Sequence, residues 1–299
     1  MSLSLNMSLL AAVIASSILS GTSLFYATLG ELVGERAGIV NLGLEGLMLI
    51  GASAGFAVTA SSGDAYLGLI AAALAGSAAN MIFAYVVVGR RANQLAAGLT
   101  LMFFGLGAST LIGRPFVGEV VAGLPHFGFG GFGSYDLLVW LALPNALGFW
   151  ALLFRTRWGL ALRAVGEDPA AAFAAGKSPN LIRYQALAIA GALGAIGGAH
   201  LALALTHTWD EGMTAGRGFI AIALVIFAKW NPLWALVGAL VFGGAEIAQL
   251  ELQARGADVS PFLMSMIPYL LTLIVLIFWG FNHRAAAPAA LGRNFFGVE

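Results

Sequence analysis

No cysteine occurs among the 299 residues, which excludes disulfides and thiolate metal sites. Charge is nearly as scarce: Asp, Glu, Lys and Arg make up 9% of the chain, where a soluble domain carries about 25%. The 14 basic and 14 acidic residues cancel, and no basic run suits nucleic acid. The four histidines lack metal-ligand spacing such as HExxH, so neither a metal nor another cofactor is expected. The opening MSLSLNMSLL lacks the basic residues of a secretory signal peptide, so the first apolar run reads as a retained span.

What fills the chain instead is apolar. Hydrophobic residues make up 60% and the mean hydropathy is +0.91. Apolar runs of about twenty residues, enough to cross a bilayer, recur along the length. Forty glycines fit close helix–helix packing in lipid. The expected fold is an all-α polytopic membrane protein, one transmembrane domain over 1–299. Nine spans fall at 8–30, 43–61, 66–88, 95–113, 135–154, 184–206, 217–228, 232–250 and 262–281. The 217–228 piece is too short to cross alone and reads as a broken or re-entrant helix.

One long polar interval, 155–183, separates these runs. It holds Arg155, Arg157, Arg163, Lys177 and Arg183, the signature of a cytoplasmic loop. Alternation then puts Arg36, Arg90, Arg91, Lys229, Arg284 and Arg293 on the same side, leaving Arg114, Arg217 and Arg255 outside. The N-terminus is expected outside and the C-terminus in the cytoplasm. Within the loop, Asp168 is placed to cap a short helix, Pro169 fits its first position, and Ala170 to Ala175 favour it. Gly176 ends it and Pro179 blocks its continuation. Such a helix either connects two spans or docks a cytoplasmic partner. Outside, the loop THTWDEGMTAGR at 206–217 is acidic and aromatic, and faces either solvent or a ligand.

Several motifs fail on context. Gly128, Gly130 and Gly133 spell GxGxxG, but no strand is expected before them and a span follows. Gly51 to Gly55 matches GxSxG around Ser53, yet it lies within an apolar helix. An intramembrane hydrolase using Ser53 with His200 or His207 is therefore the weakest alternative. Gly176–Lys177–Ser178 matches the end of a P-loop, but position 171 is alanine, so no nucleotide-hydrolysis site and no enzyme is expected. Asn41 and Glu45, four apart, are expected on one helix face. Glu45 lines a cavity or is solvated at the inner face; Glu246, three residues before Gln249, reads as snorkelling to the outer interface. An ion-coupled secondary transporter would need one of these carboxylates.

Three stretches together carry a family likeness: GERAGIVNLGLEGLMLIGA at 34–52, RRANQLAAGLTL at 90–101, and LRAVGEDPAAAFAAGKS at 162–178. They resemble the membrane permeases of bacterial ABC importers. Within these they resemble the simple-sugar and nucleoside subgroup, relatives of the branched-chain amino acid permeases. The likeness runs from about residue 20 to 281. It implies half of a transmembrane pathway in the bacterial cytoplasmic (inner) membrane. It also implies a second permease subunit, separate ABC ATPase subunits inside, and an extracytoplasmic substrate-binding protein. The coupling helix of such permeases maps onto Arg163, Ala164, Val165, Gly166, Glu167, Asp168, Pro169, Ala170, Ala171 and Gly176. Asn41, Glu45, Asn93 and Gln94 are the candidate polar groups at or near the pathway.

Overall fold

The computed structural model describes residues 2–128, 133–254 and 287–294, with 266, 270, 273 and 277 singly. Apart from those four single residues, the expected span at 262–281 lies outside the described residues, as do Gly130, Arg255 and Arg284.

Within them the chain is predominantly helical. In order come α1 (Ser2–Arg36), α2 (Leu44–Ser62), α3 (Ala65–Ala84), α4 (Gln94–Gly113), α5 (Leu137–Arg155), α6 (Arg157–Glu167), α7 (Pro169–Ala174), α8 (Pro179–His200), α9 (Arg217–Phe227) and α10 (Pro232–Ala254). π-helical turns extend α3 through Tyr85–Gly89 and α8 through Leu201–Thr206. Counting such extensions, six helices are long and apolar enough to cross a membrane: α2, α3, α4, α5, α8 and α10. Side-chain caps set several starts: Asp64 accepts from the Tyr66 N–H at 2.8 Å, Asn93 from Ala96 at 3.0 Å, and Asp136 from Leu138 at 2.8 Å.

The glycines decide which helices are central. A methyl group on Gly51 would overlap the Ala195 backbone, and one on Gly198 would overlap Met48. Backbone contact at both points draws α2 and α8 together, as small residues do where lipid supplies no hydrophobic drive. The second half of α1 fills the remaining centre: Leu24, Phe25, Ala27, Leu29, Leu32 and Val33 are fully buried. By contrast α4, α5 and α10 turn Leu99, Phe103, Leu111, Leu143, Leu147 and Val241 outward.

The bundle has two distinct ends. At one, the close of α1 meets the 90–94 turn, α6 and residues 287–294. There Gln94 accepts from the Val40 N–H, Ala290 N–H donates to Gly166, and Asn294 donates to Arg91. Arg36, Arg90, Arg91, Lys229, Arg293 and the 155–183 interval thus share an end. At the other end residues 117–124 lie over the π-helical turn of α8, where Val121 N–H donates to His207 and Leu124 N–H to Leu203.

Three expectations need correction. A strand does precede the GxGxxG stretch: β1 (His126–Gly128) pairs antiparallel with β2 (Ser134–Asp136). Among the described residues β1 pairs with a second strand and does not lead into a helix, the context that a dinucleotide fingerprint needs. Arg217, expected outside, is buried within the bundle. And the 155–183 interval holds two helices, because Leu162, Val165 and Ala161 of α6 pack inward beneath its arginines.

Candidate functional site

Asn41 and Glu45 do not share a helix face. Gly38, at φ +85°, turns the chain, and α2 begins only at Leu44, so Asn41 lies in the preceding turn. There its Oδ1 accepts from Gly43 N–H at 2.8 Å, and its Nδ2 donates to Asn80 Oδ1 at 2.9 Å. Asn80 in turn donates to the Leu187 carbonyl at 2.6 Å, and Asn41 N–H donates to Glu31 at 2.9 Å. This polar chain ties α1, α2, α3 and α8 at one level. Of the other two candidates, Asn93 is spent on capping α4, and Gln94 is buried against Val40.

Glu45 meets α9 instead. Its Oε1 accepts from Gly216 N–H at 2.8 Å and from the Thr214 hydroxyl, and its Oε2 accepts from Gly218 N–H at 2.6 Å. A carboxylate thus closes the positive N-terminal end of a helix of 11 residues. At about 1.5 Å per residue such a helix rises only about 16 Å, half of a bilayer core. Its neighbours place it in depth. Arg217 pairs with Glu246, which also accepts from Ser20 at 2.6 Å, so α9 starts level with the middle of α1. Just past its other end, Trp230 Nε1 donates to Glu35 at 2.6 Å. The segment expected at 217–228 is therefore a half-helix whose N-terminus points into the bundle. Glu246 is held by an ion pair and does not snorkel.

The 155–183 interval divides by burial. Asp168 accepts from the N–H groups of Ala170 and Ala171 at 2.9 and 3.0 Å. Gly176 N–H donates to Phe173, Lys177 N–H donates to Ala172 at 3.0 Å, and Gly176 has φ +76°. These are the paired bonds of a glycine-terminated helix end. Ala170, Ala171 and Gly176 are exposed, as are Glu167 and Asp168. Val165 and Gly166 are buried, and a side chain on Gly166 would strike the Arg36 carbonyl. Arg163 donates to the Leu153 carbonyl at 3.1 Å and lies over the Phe154 ring. So 163–166 fasten the interval to the bundle, Ala172 packs against the same core, and most of 167–176 faces outward.

The motifs discounted from sequence have structural partners. The Ser53 hydroxyl is fully buried and donates to the Ile50 carbonyl inside α2, with no nucleophile turn. His200 pairs with Asp136 at 3.2 Å, both fully buried. Burial opposes the Asp136 charge, but His200 and the capping N–H groups outweigh it and hold the carboxyl below its usual range. Sequence reading missed Glu31, Glu35, Asn80 and Trp230, and it took Arg183 as a loop cation where the side chain is buried and donates to the Ala37 carbonyl at 3.2 Å. The signal available was an ionisable pair, Glu31 and Glu35, four apart beside an apolar run.

The sequence model of the family described as "Branched-chain amino acid transport system / permease component" matches residues 5–276. The chain belongs to that permease family. A Haloferax volcanii protein provisionally named a glucose ABC transporter permease is 36% identical to this permease, covering 97% of it and 98% of the relative. The nucleoside ABC transporter permease of Lactococcus lactis is 34% identical, and the guanosine ABC transporter permease of Bacillus subtilis 33%. Each alignment covers 95% of this permease and 96% of the relative. No solved structure matches it. The permease is thus a multi-pass membrane component of an ABC transport system, a class that works with ATPase and substrate-binding subunits.

Proposed function

We propose that this permease forms half of the transmembrane pathway of an importer for a nucleoside or a simple sugar, in the cytoplasmic membrane. The observation that carries this reading is near-full-length similarity to three relatives named for glucose, nucleoside or guanosine transport. A separate ATPase drives alternating access, and its motion enters through 163–176. The exposed face of α7 supports that role: it presents Ala170, Ala171 and Ala174 beside one aromatic, Phe173, with Glu167 and Asp168 at its positive N-terminal end. A second permease subunit completes the pathway, and an extracytoplasmic binding protein delivers the solute.

The secondary-transporter reading loses ground because Glu45 and Glu246 are both engaged within the protein. The test is uptake of labelled glucose and guanosine by cells with and without the gene, with and without ATP depletion. Gene-dependent, ATP-dependent uptake of either solute is the expected result. Uptake that follows an ion gradient and survives ATP depletion would replace this reading.

A further inference from the structure

At the end of the bundle away from 155–183, a cleft of about 540 Å³ is lined by Thr110, Arg114, Val117, Trp209 and Glu211. That size lies within the range of about 300–1,000 Å³ typical of small-molecule sites. α4 and its terminal turn supply Thr110, Arg114 and Val117; the loop after α8 supplies the other two. Gly113 makes the closure possible, since any side chain there would overlap the Trp209 ring. Trp209 is 1% exposed, yet its indole N–H has no partner among the described residues. A buried donor left unpaired is costly, so such a group calls for a partner. The Arg114 guanidinium likewise makes no hydrogen bond or ion pair among the described residues. Thr110 donates to the Leu106 carbonyl at 3.0 Å and approaches Glu211 Oε1 at 3.3 Å, while the other Glu211 oxygen has no partner among the described residues.

The chemistry narrows the ligand. A solute carrying one sign of charge meets repulsion from either Arg114 or Glu211, whereas a zwitterion or a neutral polyol does not; the relatives named for glucose, nucleoside and guanosine transport point to the polyol. Two unused donors and a carboxylate acceptor suit a neutral molecule whose hydroxyls both give and accept hydrogen bonds. Past Trp209, the same loop runs on to Thr214 and Gly216, which bind Glu45 at the buried start of α9. The cleft therefore stands at the mouth of the chain segment that dips into the bundle.

We infer that this cleft is a low-affinity receiving site for a neutral polyhydroxylated solute, with Glu211 accepting from adjacent hydroxyls and the Trp209 N–H and Arg114 donating. The inference rests on the nucleoside-or-sugar reading above. Its test is equilibrium binding of radiolabelled glucose and guanosine to the full chain, with its co-purifying subunits, in lipid nanodiscs without binding protein. Glu211→Gln removes the charge and keeps the shape. Trp209→Phe keeps a ring against Gly113 and removes the N–H.

Wild type is expected to bind at least one probe saturably, and each variant to weaken it about tenfold, or about 1.4 kcal/mol. A deoxy analogue lacking one of two adjacent hydroxyls should compete about tenfold less well in wild type, a preference that Glu211→Gln abolishes. The analogue comparison stands even if a variant fails to fold. Unchanged affinity in both folded variants, equal competition by the analogue, or gene-dependent uptake without saturable nanodisc binding overturns the cleft and leaves the import reading intact. Gene-dependent uptake of neither probe overturns the substrate reading and the cleft's ligand together.

Discussion

At the residue scale, Glu45 shows how a membrane carboxylate is tolerated without facing water. Its two oxygens take two backbone N–H groups and one hydroxyl at the start of α9, leaving little of its charge uncompensated. Glu45→Gln keeps the volume but aims an amide NH2 at backbone donors, leaving at least one buried N–H unsatisfied at about 1–3 kcal/mol. Uptake should fall, and the thermal unfolding midpoint of the purified chain should fall with it. Loss of uptake with an unchanged midpoint would instead favour a pathway-lining role. Sequence pattern reached Glu45 because a carboxylate in an apolar run is costly. It could not reach the partner: Thr214 and Gly218 are 169 and 173 residues away. The supposed pairing of Asn41 with Glu45 failed for a local reason, that Gly38 and the following turn delay the start of α2.

At the element scale, α6 packs onto the bundle and α7 carries the exposed surface proposed above for coupling. Sequence made α7 legible almost to the residue, since Asp168, Pro169 and Gly176 each act through local backbone geometry. α6 was hidden because its arginines dominate the composition while its inward apolar positions are few. Trp in place of Ala170 or Ala171 adds bulk at exposed positions, so folding should barely change, within about 0.5 kcal/mol. Co-purification of the ATPase and solute uptake should both drop sharply; full recovery of both with Trp at both alanines would remove α7 from coupling. Gly176→Val acts differently, because φ +76° costs a branched residue about 1–2 kcal/mol and misdirects the helix exit. Gly166→Leu tests the inner joint. Its side chain would meet the Arg36 carbonyl, whose own guanidinium donates to Trp230 and Lys229 at the turn after α9. That variant should retain the ATPase yet lose uptake, separating docking from transmission.

At the scale of the whole molecule, the architecture was read from two simple signals, apolar length and the placement of basic residues. Several helix starts fell out of the first because the caps Asp64, Asn93 and Asp136 sit where apolar runs begin, whereas α1 runs six residues past each expected end and α8 starts five residues early. The second grouped Arg36, Arg90, Arg91, Lys229 and Arg293 correctly at one end, but it misplaced Arg217. A buried arginine paired with Glu246 carries no topological information, and sequence alone does not distinguish it from a loop arginine. Removing Arg217 from the outer tally strengthens the asymmetry between the two ends. The end bearing 155–183 is therefore expected in the cytoplasm. Cysteines can report this cleanly because the native chain has none. Single cysteines at Ser62 and Gly212, at the opposite end, should react with a membrane-impermeant maleimide in intact cells. Cysteines at Gly89 and Ser178 should react only after permeabilisation. Labelling of Ser178→Cys from outside would invert the molecule. It would put α7 beyond the reach of any ATPase and turn the cleft at Trp209 towards the cytoplasm.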